Sequence, residues 1–164
     1  MGAVKPDIIV NAAAYTAVDK AEQEHEQATR INAGAPAQMA EYAHRTGALL
    51  VHYSTDYVFN GSGVTPWSET DPTGPVNHYG ASKLAGEQAI QASGCEHLIF
   101  RTSWVYAARG NNFMKTMLNL ARTRDTLSIV SDQIGAPTPA RLIAEVSALA
   151  VHQRLTSGLY HLTT

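Results

Sequence analysis

The sequence predicts an α/β fold, a doubly wound parallel sheet flanked by helices. Two observations carry that expectation. Short apolar runs alternate with longer amphipathic stretches, which is the pattern of βαβ units. Residues of unusual chemistry fall just beyond the ends of the predicted strands, where open α/β sheets bind their ligands. Neither an internal repeat nor a linker divides the 164 residues, so residues 1–164 read as one domain.

Ile8-Ile9-Val10 is a β-branched run, entered through Lys5-Pro6-Asp7 and left through Asn11 and three alanines. A long helical stretch follows, with Ile31, Ala35, Met39 and Tyr42 at near-helical spacing. Pro36 should kink or break it. Ala48 to Tyr53 reads as the second strand. Residues 59–77, rich in Gly, Pro, Ser and Thr, form a loop of a length usually reserved for function or disorder. His78 to Ala92 reads as a helix and Glu96 to Thr102 as a strand. Asn111 or Asn112 is placed to cap a helix whose Phe113, Met117, Leu120 and Ala121 share one face. Leu127 to Val130 reads as a short strand. Thr138-Pro139 reads as an N-cap with proline at the first helical position, opening a helix that turns Leu142, Val146 and Leu149 inward. Ser157 to Leu162 reads as a further strand.

Composition removes several function classes. Apolar content is 45% and the formal net charge is −2, as in soluble globular proteins. The 12 Lys and Arg are scattered, so a nucleic-acid face has no support. No apolar run nears the ~20 residues of a membrane span, and no signal peptide is recognisable. The single cysteine, Cys95, points to a reducing, cytoplasmic setting. Seven histidines lack paired ligand spacing, so no metal site is expected from them. Asn60-Gly61-Ser62 fits the glycosylation pattern, but without a secretory signal it reads as a turn.

Asn11 to Thr16 follows the first strand, Ser54-Thr55-Asp56 the second and Ser103-Trp104 the third. Tyr79 and Lys83, four apart on a helix, lie on the same face. A phenol with pKa near 10 is a poor acid or base at neutral pH. An ammonium ~5 Å away favours the phenolate by roughly 3 kcal/mol at an effective dielectric of about 20, or about two pKa units. The pair is thereby suited to acid–base work. Tyr-x-x-x-Lys is also common on solvated helices, and the spacing alone does not separate the two readings.

The set of Thr55, Tyr79 and Lys83 resembles the short-chain dehydrogenase/reductase superfamily, which has a Rossmann-like fold. That resemblance implies that Thr55 holds a substrate carbonyl, Tyr79 donates the proton, and Lys83 binds the cofactor ribose and tunes Tyr79. Asn32 stands where the superfamily often has an asparagine supporting the lysine through water, and it reads equally as a local helix-end residue. The blocks Asn11–Asp19, Ser54–Gly61, Tyr79–Glu87, Arg101–Tyr106, Gly110–Phe113 and Asp132–Thr138 are, in order, similar to the dTDP-4-dehydrorhamnose reductase family. The resemblance implies reduction of the 4-keto group of dTDP-4-dehydro-L-rhamnose to dTDP-L-rhamnose with NADPH or NADH. It places Ala14, Tyr15, Thr16, Tyr53, Tyr79 and Lys83 on the cofactor, and Thr55, Asp56 and Trp104 on a dTDP-linked 6-deoxy keto sugar. Trp104 also reads as a core aromatic. Some relatives use magnesium, for which no site is recognisable here.

The Gly-rich turn that binds the pyrophosphate in this superfamily is not found in these residues. The chain therefore reads as an internal fragment, a partial Rossmann-like domain with the beginning of the substrate-binding part. Two other readings remain. A sugar-nucleotide epimerase or dehydratase is one, although dehydratases tend to carry Glu where Tyr57 stands. A non-enzymatic regulatory subunit, like the β subunit of methionine adenosyltransferase, is the other. Ile8–Val10 is expected to leave an exposed sheet edge, through which the chain dimerises or aggregates.

Overall fold

The β-branched run after Pro6 forms β1 (Ile8–Asn11), and the next apolar run forms β2 (Leu49–Thr55). They lie parallel, with Ile8 opposite Leu49 and Asn11 opposite His52. β3 (His97–Thr102) follows, and β6 (Gly158–His161) lies parallel to it, giving a four-stranded sheet in the order β1-β2-β3-β6. The computed structural model describes residues 4–164.

The crossover from β1 to β2 is a helical run in pieces: α1 (Val18–Ala21), α2 (His25–Thr29), a π-helical turn (Arg30–Gly34) and α3 (Ala35–Thr46). Pro36 sits in the first turn of α3, where its missing N–H costs least. The expected break therefore takes the form of a π turn, and that turn carries Asn32. The return from β2 to β3 passes through the long loop and α4 (His78–Ser93), capped by Asn77, whose side chain accepts from the Gly80 N–H at 2.8 Å. One core layer joins α3, α4 and the sheet: Ala40, Ala43, Leu50, Ile90, Cys95 and Ile99. Burying Leu50, Ile90 or Ile99 stabilises by roughly 2–3 kcal/mol apiece.

The chain divides into two compact units. One comprises the described residues of Met1–Arg101 with Leu155–His161, and the other Thr102–Arg154 with Leu162–Thr164. The second unit holds β4 (Val105–Tyr106), α5 (Phe113–Leu120), β5 (Thr138–Pro139) and α6 (Ala140–His152), with β4 and β5 parallel.

This second unit is where the sequence reading needs correction. Asn112 caps α5 as expected, accepting from the Lys115 N–H at 3.1 Å. Yet α5 has no buried residue, and Phe113 is 62% exposed. The periodicity forms the helix, but of the expected face only Met117 and Leu120 are half-buried, and Phe113 and Ala121 are exposed. Leu127–Val130 is not a strand, and Ile129 and Val130 are exposed. Thr138 does not cap α6: its backbone pairs in β5, and its hydroxyl donates to the Ala136 carbonyl at 2.9 Å. The buried stripe of α6 is Ile143, Ser147 and Ala150; of the residues expected inward, Leu142 and Val146 flank it half-buried and Leu149 is exposed.

Candidate active site

β2 ends in Thr55, whose extended backbone caps the single 3-10 turn Asp56–Val58. Its hydroxyl oxygen accepts from the Tyr57 N–H at 3.2 Å and its proton goes to Asp56 Oδ1 at 3.0 Å. Asp56 and Tyr57 are thus fixed immediately beyond the strand. α4 approaches this turn closely because Gly80 has no side chain, since a Cβ there would run into the Tyr57 carbonyl oxygen. That approach brings the Tyr57 and Tyr79 rings edge to face, with centroids 5.5 Å apart. It also brings the Tyr79 phenol beside the Thr55 hydroxyl, which favours its ionised form.

The electrostatics depart from expectation. Burial raises the Tyr79 pKa above 10.0, the Thr55 hydroxyl lowers it, and Asp56 and Tyr57 add to the rise. The lysine does not reverse this. Lys83, 2% exposed, donates from Nζ to the Tyr53 carbonyl oxygen at 2.6 Å and lies 3.4 Å from His52 Nε2. Its own pKa falls from 10.5 to about 8, driven by burial and partly offset by Glu87. The ammonium is committed to the end of β2, so the downward pull on the phenol expected from the four-residue spacing is not the dominant effect.

Glu87 lies one turn beyond Lys83 and is held by Arg101 on β3, with Nε to Oε1 at 3.0 Å and Nη2 to Oε2 at 2.7 Å. A bidentate buried pair of this kind fixes geometry more than it adds stability. The Arg101 guanidinium also sits 5.0 Å above the Phe59 ring, which stacks on Trp67 at 4.7 Å. Glu69 accepts from the His161 N–H at 2.8 Å, and this bond lowers the carboxyl pKa. The long loop of residues 59–77 is therefore anchored across β3 and β6. Within it, Asn60-Gly61-Ser62 is the expected turn, with the Asn60 side chain accepting from the Ser62 N–H at 2.9 Å.

Of the residues expected to meet a cofactor, Ala14 and Thr16 are exposed on the loop after β1. Tyr15 turns inward against Ala21 and Ala28, and its hydroxyl donates to Glu24 at 2.6 Å. That bond to a carboxylate pushes its pKa up to about 12. Asn32 binds both backbone groups of Tyr15, at 2.8 and 3.0 Å, and donates to Ser82 at 3.0 Å. Its side chain therefore shapes the Tyr15 loop directly. The sequence reading gave Glu87, Arg101 and His52 no role. Glu87 was findable as the next helical turn after Lys83, whereas His52 looks like an ordinary strand residue.

Trp104 belongs to the second unit. It is 43% exposed, which removes the core-aromatic alternative, and its φ of +43° is a left-handed conformation rare for so large a residue. The indole lies directly on Gly135, where a Cβ would stand 2.5 Å from Cε2 and 2.7 Å from Nε1. Among the described residues, no group of three or more His, Cys, Asp or Glu could hold a metal ion. No helix among them is long and apolar enough to cross a membrane.

Comparison with known proteins gives a consistent outcome. The family model for the RmlD substrate binding domain matches residues 1–164. The chain is 58% identical over 163 residues to dTDP-4-dehydrorhamnose reductase of Salmonella typhimurium, covering 97% of this chain and 54% of that protein. It is 47% identical to the spore coat polysaccharide biosynthesis protein SpsK of Bacillus subtilis, covering 99% of this chain and 56% of that one. The crystal structure of dTDP-4-dehydrorhamnose reductase from Bacillus anthracis in complex with NADP superposes with a TM-score of 0.94 at 42% identity. That match covers 99% of this chain and 58% of the other. The chain spans about half the length of the curated relatives it matches. With the whole chain matched by one family model, it belongs to the RmlD substrate-binding domain family.

Proposed function

We propose that the full-length protein carrying this chain reduces the 4-keto group of dTDP-4-dehydro-L-rhamnose to dTDP-L-rhamnose, using NADPH or NADH. The observation that supports this most directly is the meeting of the Thr55 hydroxyl and the Tyr79 phenol beyond the end of β2, with Lys83 one helical turn away. Two hydroxyls meeting there are what a carbonyl oxygen needs as it takes on negative charge. The identity to reductases of that name supplies the substrate.

In this reading the bound nicotinamide supplies hydride to the carbonyl carbon. Thr55 turns its one proton from Asp56 Oδ1 to the carbonyl oxygen, and Tyr79 gives that oxygen its proton. Lys83 holds a ribose hydroxyl: of its three N–H groups, one is spent on the Tyr53 carbonyl, so donors remain for a ligand. Ala14, Tyr15, Thr16 and Tyr53 line the cofactor side, and the exposed alanine-rich turn lets a ligand approach the backbone. Asp56 and Trp104 face the sugar. Unit 1 is the partial Rossmann-like part and unit 2 the beginning of the substrate-binding part. Cytoplasmic synthesis fits the free, buried Cys95.

Elimination of water, the dehydratase reaction, is disfavoured at residue 57. The Tyr57 pKa is raised by burial and by Asp56, so its phenol does not replace a carboxylate base. The test is turnover of dTDP-4-dehydrorhamnose by the full-length protein, followed by loss of NADPH absorbance. Sugar-nucleotide binding without NADPH consumption would instead favour the regulatory-subunit reading.

A further inference from the structure

His52 is buried and touches two of the elements that build the site, yet the proposed reaction gives it no task. It stands opposite Asn11 in the β1–β2 register. The Asn11 side-chain amide lies 3.0 Å from Nδ1, and the Lys83 ammonium lies 3.4 Å from Nε2. The ring is thus threaded between the loop that leaves β1 and the helix that carries Tyr79.

The protonation states follow from the surroundings. Burial first, and then the charge of Lys83, hold the His52 pKa down at about 3. The imidazole is therefore neutral, with one N–H and one lone pair. An ammonium only donates, so the lone pair facing Lys83 belongs on Nε2 and the proton on Nδ1. The Nδ1–H then needs an acceptor, and the Asn11 side chain is the group there. Asn11 has its amide nitrogen toward the ring and its oxygen accepting from the Ala13 N–H at a long 3.3 Å. Turning that amide by a half rotation exchanges two groups of the same shape. It gives up a long backbone bond for a hydrogen bond that supports a charged donor.

We propose that His52 is a positioning residue for Lys83: with Nδ1–H held by the Asn11 carbonyl, Nε2 accepts one ammonium N–H. The Tyr53 carbonyl takes a second, which leaves a single N–H to turn toward a ligand. This deepens the reductase reading and rests on it for its consequence, because a fixed third N–H is of use only where a ribose hydroxyl is to be met. The other ionisable groups around Lys83 do not replace this contact. Glu87 acts on Lys83 through its charge while its oxygens are occupied by Arg101. Asp56 acts on Tyr79, and β1 contributes Asn11 alone at this register.

Two measurements on the full-length protein test the assignment without substrate or cofactor. Long-range proton–nitrogen correlation of labelled histidine reads the His52 tautomer, and the expected result is Nδ1–H. An Nε2–H tautomer at neutral pH overturns the proposal. Titration of Lys83 by its ε-carbon shift is then compared between His52→Gln, which keeps an acceptor, and His52→Leu, which does not. The glutamine variant should titrate near wild type, and the leucine variant about one pH unit lower or more. Equal values in the two variants also overturn it, because a ring that only fills space is served as well by leucine. Should His52→Leu not fold, the wild-type tautomer still decides. A protein without reductase activity that shows this tautomer loses the reductase reading and keeps the lysine contact. An active reductase with the Nε2–H tautomer does the reverse.

Discussion

The Thr55 hydroxyl donates to Asp56 Oδ1 at 3.0 Å, and the same hydroxyl, when it turns to Tyr79, draws the phenol toward ionisation against burial, Asp56 and Tyr57. Removing it has a defined sign. Thr55→Val should raise the pH at which Tyr79 ionises and lower the rate, while cofactor affinity stays put. The measurement is a pH–rate profile of the full-length enzyme beside an NADPH titration. A profile that does not move would detach Thr55 from the chemistry.

Tyr79→Phe removes the proposed proton donor and leaves the ring in its edge-to-face contact with Tyr57. Turnover should fall by ~10²–10⁴-fold, the usual contribution of general acid catalysis. The melting temperature should change little. Rates near wild type would sink the assignment.

Lys83 links function to stability. Its folded pKa, about 8, lies below the ordinary 10.5, so between these values the unfolded chain binds more protons. Stability therefore rises with pH across that window, and below it the cost of burying the ammonium is fully present. A drop of that size corresponds to about 3 kcal/mol. Lys83→Met should accordingly raise the melting temperature at neutral pH, with the gain shrinking as pH climbs past about 8. The same variant should lose cofactor affinity. Calorimetric melts at several pH values, paired with NADPH titration, read both effects, and a destabilised Lys83→Met would refute the first.

The sheet and the helices of the first unit were legible because their signals are local. Ile8–Val10, Leu49–Tyr53 and His97–Thr102 are apolar runs bounded by turn residues, and Asn77 caps α4 beside the Tyr79–Lys83 spacing. The direction in which Lys83 points was not legible. Spacing on α4 puts it near Tyr79, but β2 presents a carbonyl and an imidazole to the same ammonium, and strand register is a long-range property. The second unit misled for a related reason. Phe113 and Leu149 follow helical periodicity, yet burial depends on what packs above them, and periodicity does not carry that. Thr138-Pro139 reads equally as a helix start and as an extended pair, and pairing with Val105-Tyr106 decided it.

Trp104 and Gly135 form a second testable pair. The indole rests on a residue with no side chain, and a Cβ there would stand 2.5 Å from Cε2. Gly135→Ala should push the indole off its seat and raise KM for the sugar nucleotide with little change in kcat or in NADPH affinity. Trp104→Ala should have the same signature. In a double-mutant cycle Gly135→Ala should add little once Trp104 is gone. Full additivity would mean that Gly135 acts through something other than the indole.

β1 carries the remaining prediction. It pairs with β2 on one side, and β1 stands at the margin of the described sheet. Ile8 and Val10 are 45% and 57% exposed there. A parallel strand with open N–H and C=O groups and apolar side chains is a template for another strand. These 164 residues, produced alone, should therefore dimerise or aggregate through that edge and bind NAD(P)H weakly. Lysine blocks such edges by adding a charge that a second strand would have to bury. Val10→Lys should shift the chain toward monomer in sedimentation velocity without changing its circular dichroism. Two outcomes count against this: a wild-type chain that is monomeric at high concentration, or a Val10→Lys chain that associates as strongly as wild type. Tight NADPH binding by the isolated chain would count against the second half of the prediction, because the pyrophosphate would then have found a site other than a Gly-rich turn.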